Sequence, residues 1–339
     1  MYRYLHLFIL LGLTLVCQQV KSQFSIELVD SSQGQTSFRG LSVVTDKVVW
    51  VSGSKGTVGL SKDAGKSWKW MQIPGFEKSD FRDIEAFDKN TAIIMTSGTP
   101  AVILKTTNGG ENWKVVFRDN RPEMFLDAMD FWDKKRGMLV GDPINGRFVL
   151  LETTNGGDGW RMLDSTLCPE AHDSEAVFAA SGTSLRCWDT DKVAFASGGK
   201  IVRLFWAKKG AQFNKSELTE VCQGASSKGI FSIAATHNII IGIGGDYVKD
   251  SAEDKHYFLF DLSSNKVNYW DSLGYFSSIE IFQSDVFLMS GTKGTLIHEA
   301  PFEELKKITT IGFNVVRKAK KGKAVFLAGS KGRIAKLNY

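Results

Sequence analysis

Seven side chains in this sequence are of the types that grip or cut a polar ligand. Arg39 and Arg82 directly follow a phenylalanine, and Asp127 stands two residues after one, at the start of short apolar segments. Asp142 sits in Gly141-Asp142-Pro143, Glu175 in His172-Asp173-Ser174-Glu175, and Asp246 and Tyr247 close Gly244-Gly245-Asp246-Tyr247. Arginine presents a planar fork of donors that matches a carboxylate or a sugar hydroxyl pair. Two carboxylates across one pocket are the minimum for glycoside hydrolysis, one protonating the leaving oxygen and the other acting as base or nucleophile. The same residues also suit a buried ring of ion pairs that ties elements together. Which of these applies depends on what positions them.

The positioning elements are repeats. Ser61-Lys62-Asp63-Ala64-Gly65-Lys66-Ser67-Trp68 recurs as Thr106-Thr107-Asn108-Gly109-Gly110-Glu111-Asn112-Trp113 and as Thr153-Thr154-Asn155-Gly156-Gly157-Asp158-Gly159-Trp160, spaced by 45 and 47 residues. An Asp or Asn that accepts backbone N–H groups, a Gly with a free backbone angle and a Trp that opens the next strand make a hairpin turn. An apolar run ending in Gly recurs seven times, at Gly53, Gly98, Gly141, Gly198, Gly244, Gly291 and Gly329, with spacings of 45, 43, 57, 46, 47 and 38. Each run is β-branched or aromatic and about five residues long, which reads as a buried strand. Upstream lie Phe38-Arg39-Gly40-Leu41, Phe81-Arg82-Asp83-Ile84, Phe125-Leu126-Asp127-Ala128, Phe276-Ser277-Ser278-Ile279 and Phe313-Asn314-Val315-Val316.

Four antiparallel strands in about 45 residues, seven times over, predict an all-β, seven-bladed β-propeller. The last repeat holds three strands before the chain ends at Tyr339. An open ring leaves a bare edge, so Phe24 to Val29, which alternates apolar and polar residues, is expected to complete the seventh blade. Leu163 to Gly182 lengthens the passage from the third blade to the fourth, Tyr247 to Lys255 is a charged loop, and Pro301 to Ile308 reads as a short helix. In a propeller the starts of the inner strands and the loops after the second strands share one face. All seven candidates are therefore expected around one mouth of the central channel.

The domain plan is a signal peptide over 1–22 and a single propeller over 23–339. Arg3, the apolar run Leu5 to Val16 and Val20-Lys21-Ser22 have the layout of a secretory leader, with an apolar run too short for a comfortable membrane span. The expected location is periplasmic or extracellular, with no membrane insertion. The net charge of +5 falls to +3 without Arg3 and Lys21, too mild to argue for nucleic acid. Cys17 leaves with the leader. Cys168, Cys187 and Cys222 remain, an odd number; Cys168 and Cys187 either pair or are buried as small apolar groups. The five histidines show no metal-ligand spacing, so no metal and no cofactor is expected.

The eight-residue turn resembles the Asp-box, or bacterial neuraminidase repeat, of sialidases, sortilin-type receptors and photosystem II assembly-factor propellers. There the box is a structural turn, which implies the same for Asp63, Gly65, Trp68, Asn108, Gly110, Trp113, Asn155, Gly157 and Trp160. Met124 to Trp132 and Gly141 to Phe148 resemble a bacterial family of secreted propellers related to the photosystem II stability and assembly factor. Ala179 to Leu185, Lys228 to Ile233 and Gly244 to Tyr247 fit the same family, so the resemblance spans the chain after its leader. It implies an assembly-factor-like scaffold that binds a partner. A sialidase would need three arginines, a Tyr–Glu pair and an Asp acid, and usually a Phe-Arg-Ile-Pro motif. Phe38-Arg39 and Phe81-Arg82 echo only the first half of that motif, while Tyr247 and Glu175 are of the right types for nucleophile and base. No Gly-x-Gly-x-x-Gly opens a helix and no redox Cys pair occurs, so an oxidoreductase finds no support. The resulting expectation is a secreted, monomeric, non-catalytic propeller that binds a protein or glycan partner. The alternative is a glycoside hydrolase or lyase at the channel mouth.

Overall fold

The computed structural model describes residues 24–251, 255–271, 274–299, 302 and 304–339; the expected leader over 1–22 lies outside them. The described residues form seven antiparallel sheets and no helix. The innermost strands are Phe38–Val43, Phe81–Ala86, Leu126–Phe131, Leu185–Trp188, Lys228–Thr236, Phe276–Gln283 and Val315–Lys318. Each packs on the next and the seventh packs on the first, so the ring closes. Two of the second strands, Val49–Gly53 and Ala92–Thr96, are buried along their whole length. Each blade is sandwiched between two others, so both pleat faces must be apolar. The cores lie between blades: Trp50, Leu60, Ile94 and Leu104 join the first to the second.

Closure uses the N-terminal strand. Ser25–Asp30 pairs antiparallel with Ile334–Asn338, with Ile26 opposite Leu337. This covers the edge of the last sheet, whose order runs from that strand inward to Val315–Lys318. The ring of Phe24 packs edge-on against Phe282 at 6.0 Å.

A belt of hydrogen bonds ties the inner strands together. Ser42 Oγ accepts from the Ala86 N–H at 3.0 Å, Asp83 Oδ2 from Met129 at 2.8 Å, and Asp130 Oδ2 from Cys187 at 2.9 Å. The Thr183 carbonyl accepts from Ile233 at 2.8 Å. Ser232 Oγ accepts from Ile279 and Ser278 Oγ from Val316, each at 3.0 Å. Asn314 Nδ2 donates to the Phe38 carbonyl at 2.8 Å and completes the circuit. Backbone groups that ladder pairing cannot reach at the axis are satisfied across blade boundaries.

One segment differs from expectation. Leu305–Thr309 is not helical; it is the outer strand of the sixth blade, with Leu305 opposite His298. The third strand of that blade offers a row of unpaired groups, and covering it outweighs local helix propensity. The long 163–182 insertion does lengthen the passage from the third blade to the fourth, and it takes a structured path. Residues 163–171 run beside the third strand of the third blade, where Leu163 N–H bonds the Leu150 carbonyl and Ala171 N–H the Gly146 carbonyl. Glu175–Ala176 then pairs with Gly198–Gly199 on the inner edge of the fifth sheet, which becomes six-stranded. From there residues 177–183 cross the channel.

Candidate functional site

Arg39, Arg82 and Asp127 occupy equivalent positions, each the extra residue of a β-bulge at the start of an inner strand. Phe231 and Ser277 hold the same position in the fifth and sixth blades. A bulge re-aims its side chain away from the ladder, here toward the axis. The register puts Leu126, not Phe125, in the place of Phe38 and Phe81, opposite Gly141.

The crossing segment fills the mouth that these residues surround. Arg39 Nη1 donates to the Ala180 carbonyl at 3.0 Å and Arg82 Nη1 to the Ala179 carbonyl at 3.4 Å. Arg82 Nε also bonds Asp80 Oδ2 at 2.8 Å. Burial, and then the nearby Arg82 charge, hold the Arg39 guanidinium below its ordinary value. Gly182, at φ +65°, lies directly over Asp83, and a Cβ there would meet the carboxyl carbon at 2.2 Å. Only glycine lets the segment descend this far into the channel. The rings of Phe178 and Phe231 stack at 4.1 Å, and Tyr247 and Tyr275 meet Phe231 edge-on at 6.0 and 4.9 Å.

The four carboxylates have separate fates. Asp127 is fully buried and neither oxygen has a hydrogen bond of ordinary geometry. Burial, then the charge of Asp142, push its carboxyl well above the usual range. Asp142 Oδ1 accepts from the Val177 N–H at 3.1 Å, and burial pushes its carboxyl up to about 6. Glu175 is turned into the protein. It forms a buried ion pair with Arg203, takes the Arg203 Nε–H at 2.9 Å, and accepts the Ser197 hydroxyl at 2.5 Å. Asp246 is buried and accepts the N–H groups of Val248 and Lys249 at 2.9 and 3.2 Å, closing its own turn. Burial raises it, but the Ser227 hydroxyl and these N–H groups outweigh that and leave it lowered. The structure thus brings Arg39, Arg82, Asp127 and Asp142 together and places Tyr247 at their margin. It commits Glu175 and Asp246 to local architecture.

The three eight-residue turns join third to outer strands. In each, Ser61, Thr106 or Thr153 accepts the Gly65, Gly110 or Gly157 N–H at 2.8–3.0 Å. Each hydroxyl also donates to Asp63, Asn108 or Asn155, whose oxygen takes the N–H four residues on. Trp113 and Trp160 pack edge-on against Trp50 and Phe131. Cys168 and Cys187 do not pair and are both thiols; burial, then the Asp130 charge, push Cys187 well above the thiol range.

The other end of the channel carries a charged cluster to which none of the seven candidates belongs. Glu85, Asp130 and Glu280, each three residues beyond a bulge, line its opposite mouth with Arg186, Lys318 and Lys320. The signal was a charged residue recurring at one register position of otherwise apolar strands.

No protein-family profile and no curated protein matches this sequence. Solved structures with a similar fold include YCF48 bound to D1 peptide, at TM-score 0.65 and 13% identity over 93% of this chain and 97% of that one. YCF48 from Cyanidioschyzon merolae aligns at TM-score 0.64 and 14% identity over 92% and 98%. A catalytically inactive virginiamycin B lyase from Staphylococcus aureus, with quinupristin, aligns at TM-score 0.68 and 9% identity over 93% and 99%. One neighbour is seen with a peptide and another is a lyase, so the likeness is one of fold.

Proposed function

We propose that the chain is an exported Asp-box propeller that binds a protein partner without catalysis, on the face where Arg39, Arg82 and Tyr247 lie. The observation that carries this reading is the closure of the mouth by residues 177–183. A ligand arriving there meets a surface of arginine edges and aromatic rings rather than a pocket with two opposed carboxylates. Tyr247 and Val248 stand out from that face with 52% and 70% of their surface exposed. Aromatic and arginine groups of this kind anchor protein partners. The peptide complex of a neighbour with the same fold is consistent with it. A glycan partner remains the other outcome.

The hydrolase or lyase reading has one observation in its favour. The charge of Asp142 helps to raise Asp127, and Asp142, raised by its own burial to about 6, is suited to proton transfer. Against it, Asp127 is sealed under the crossing segment.

The test compares wild-type protein with Tyr247→Ala and Arg82→Ala as immobilised baits against an envelope extract of the host, with a glycan array and a glycosidase substrate panel alongside. A defined protein partner lost in both variants at unchanged melting temperature supports the reading. Selective glycan capture replaces the partner class. Turnover that Asp142→Asn abolishes overturns it in favour of catalysis.

A further inference from the structure

The channel end opposite the arginine face is open. Two cavities of about 520 and 800 Å³ meet there and share Asp130, Arg186, Cys187, Glu280 and Lys318. Each is of the size that holds a small ligand. Four charges on their walls are committed in pairs. Arg186 Nη2 bonds Glu280 Oε2 at 2.9 Å, and Lys320 bonds Glu85 and also the Ala86 carbonyl at 2.8 Å.

Two opposite charges shared by both cavities are not committed, while Arg317 and Lys321 line only the first. Asp130 Oδ1 accepts the Phe131 N–H and Oδ2 the Cys187 N–H, each at 2.9 Å. Each oxygen keeps a second lone pair. Among the described residues neither Asp130 nor Lys318 enters an ion pair within 4 Å, although both line both cavities. They face one basin without reaching each other. One wall of the first cavity is apolar, with Phe87 and Phe131 edge-on at 5.0 Å and Trp132 beside them, while Asp133, Lys134, Arg317 and Lys321 also line it.

We infer that this basin is a binding site for a small zwitterion, an α-amino acid with an apolar side chain. Its ammonium would meet Asp130, its carboxylate Lys318, and its side chain the wall of Phe87, Phe131 and Trp132. A simple anion satisfies Lys318 but sets like charge against Asp130, and a simple cation does the reverse. A zwitterion satisfies both, and the half-enclosed site strengthens each contact relative to water. The site is independent of the partner face, which lies at the other end of the channel.

Calorimetric titration with L-phenylalanine, 3-phenylpropionate and phenethylamine tests it on the folded chain. Saturable binding of phenylalanine is expected, with each single-charge analogue weaker by at least about tenfold. Lys318→Gln, which removes no ion pair, is expected to weaken phenylalanine by a similar factor at unchanged melting temperature. Asp130→Asn should weaken phenylalanine too, with some loss of melting temperature because its amide accepts only one of the two N–H groups, so Lys318→Gln is the variant that separates binding from stability. Equal binding of 3-phenylpropionate would make this an anion site, drawn by Lys134 and Lys321 at its rim. No saturation at millimolar phenylalanine, or an affinity indifferent to Lys318→Gln, overturns the inference outright.

Discussion

Asp142 shows how one side chain reports on the closure of the mouth. Its carboxyl stands at about 6 in the folded chain against an ordinary 3.8, because burial disfavours its charge. The folded state therefore holds the proton more tightly than the unfolded chain. The stability this confers is fully present below 3.8 and is lost as pH rises through 6, a difference of up to about 3 kcal/mol. Asp142→Asn keeps an acceptor for the Val177 N–H and removes the titration. Denaturant unfolding is expected to show the variant gaining on wild type between pH 4 and pH 7. A constant difference across that range would mean that Asp142 is not buried as described. None of this was legible from Gly141-Asp142-Pro143, because what buries Asp142 is a segment about 35 residues further along the chain.

At the scale of the element, the eight-residue turns carry their whole account in local sequence. Hydroxyl, carboxamide or carboxylate, and glycine meet within four residues, so spacing alone predicts the bonds. Thr153 is buried, and Thr153→Val leaves the Gly157 N–H without its acceptor. The expected cost is about 1–2 kcal/mol in equilibrium unfolding. A change within error would show that the turn is held by Trp160 packing instead. The outer strand at Leu305–Thr309 is the opposite case. Its local pattern reads as helix, and only the bare edge of the third strand beside it explains the extended form. Repeats make inner, second and third strands visible because their burial is the same in every blade. The segment 163–183 has no counterpart in other blades, so its path from the third blade across the channel, and the burial of Glu175 against Arg203, had no pattern to be read from.

For the whole molecule, ring closure and the closed mouth together set what the protein can do. The closing strand was legible, since an incomplete last repeat and a spare alternating segment at the other end call for each other. A chain beginning at Ser31 is expected to lose cooperative unfolding at its wild-type temperature, because the Ile334–Asn338 edge is bared and Leu337 loses its cover. Calorimetry showing an unchanged transition would place closure elsewhere. With the ring intact, the side of the channel that meets a partner is the central question, and site-specific photo-cross-linking in the host answers it most directly. Benzoylphenylalanine probes, which keep an aromatic ring in place, replace Tyr247 on the closed face and Lys47, in a turn after an inner strand, on the opposite one. A defined protein adduct is expected from position 247, disappearing when Arg82→Ala is added, and none from position 47. An adduct from position 47 alone, or one from position 247 that ignores Arg82→Ala, would contradict it.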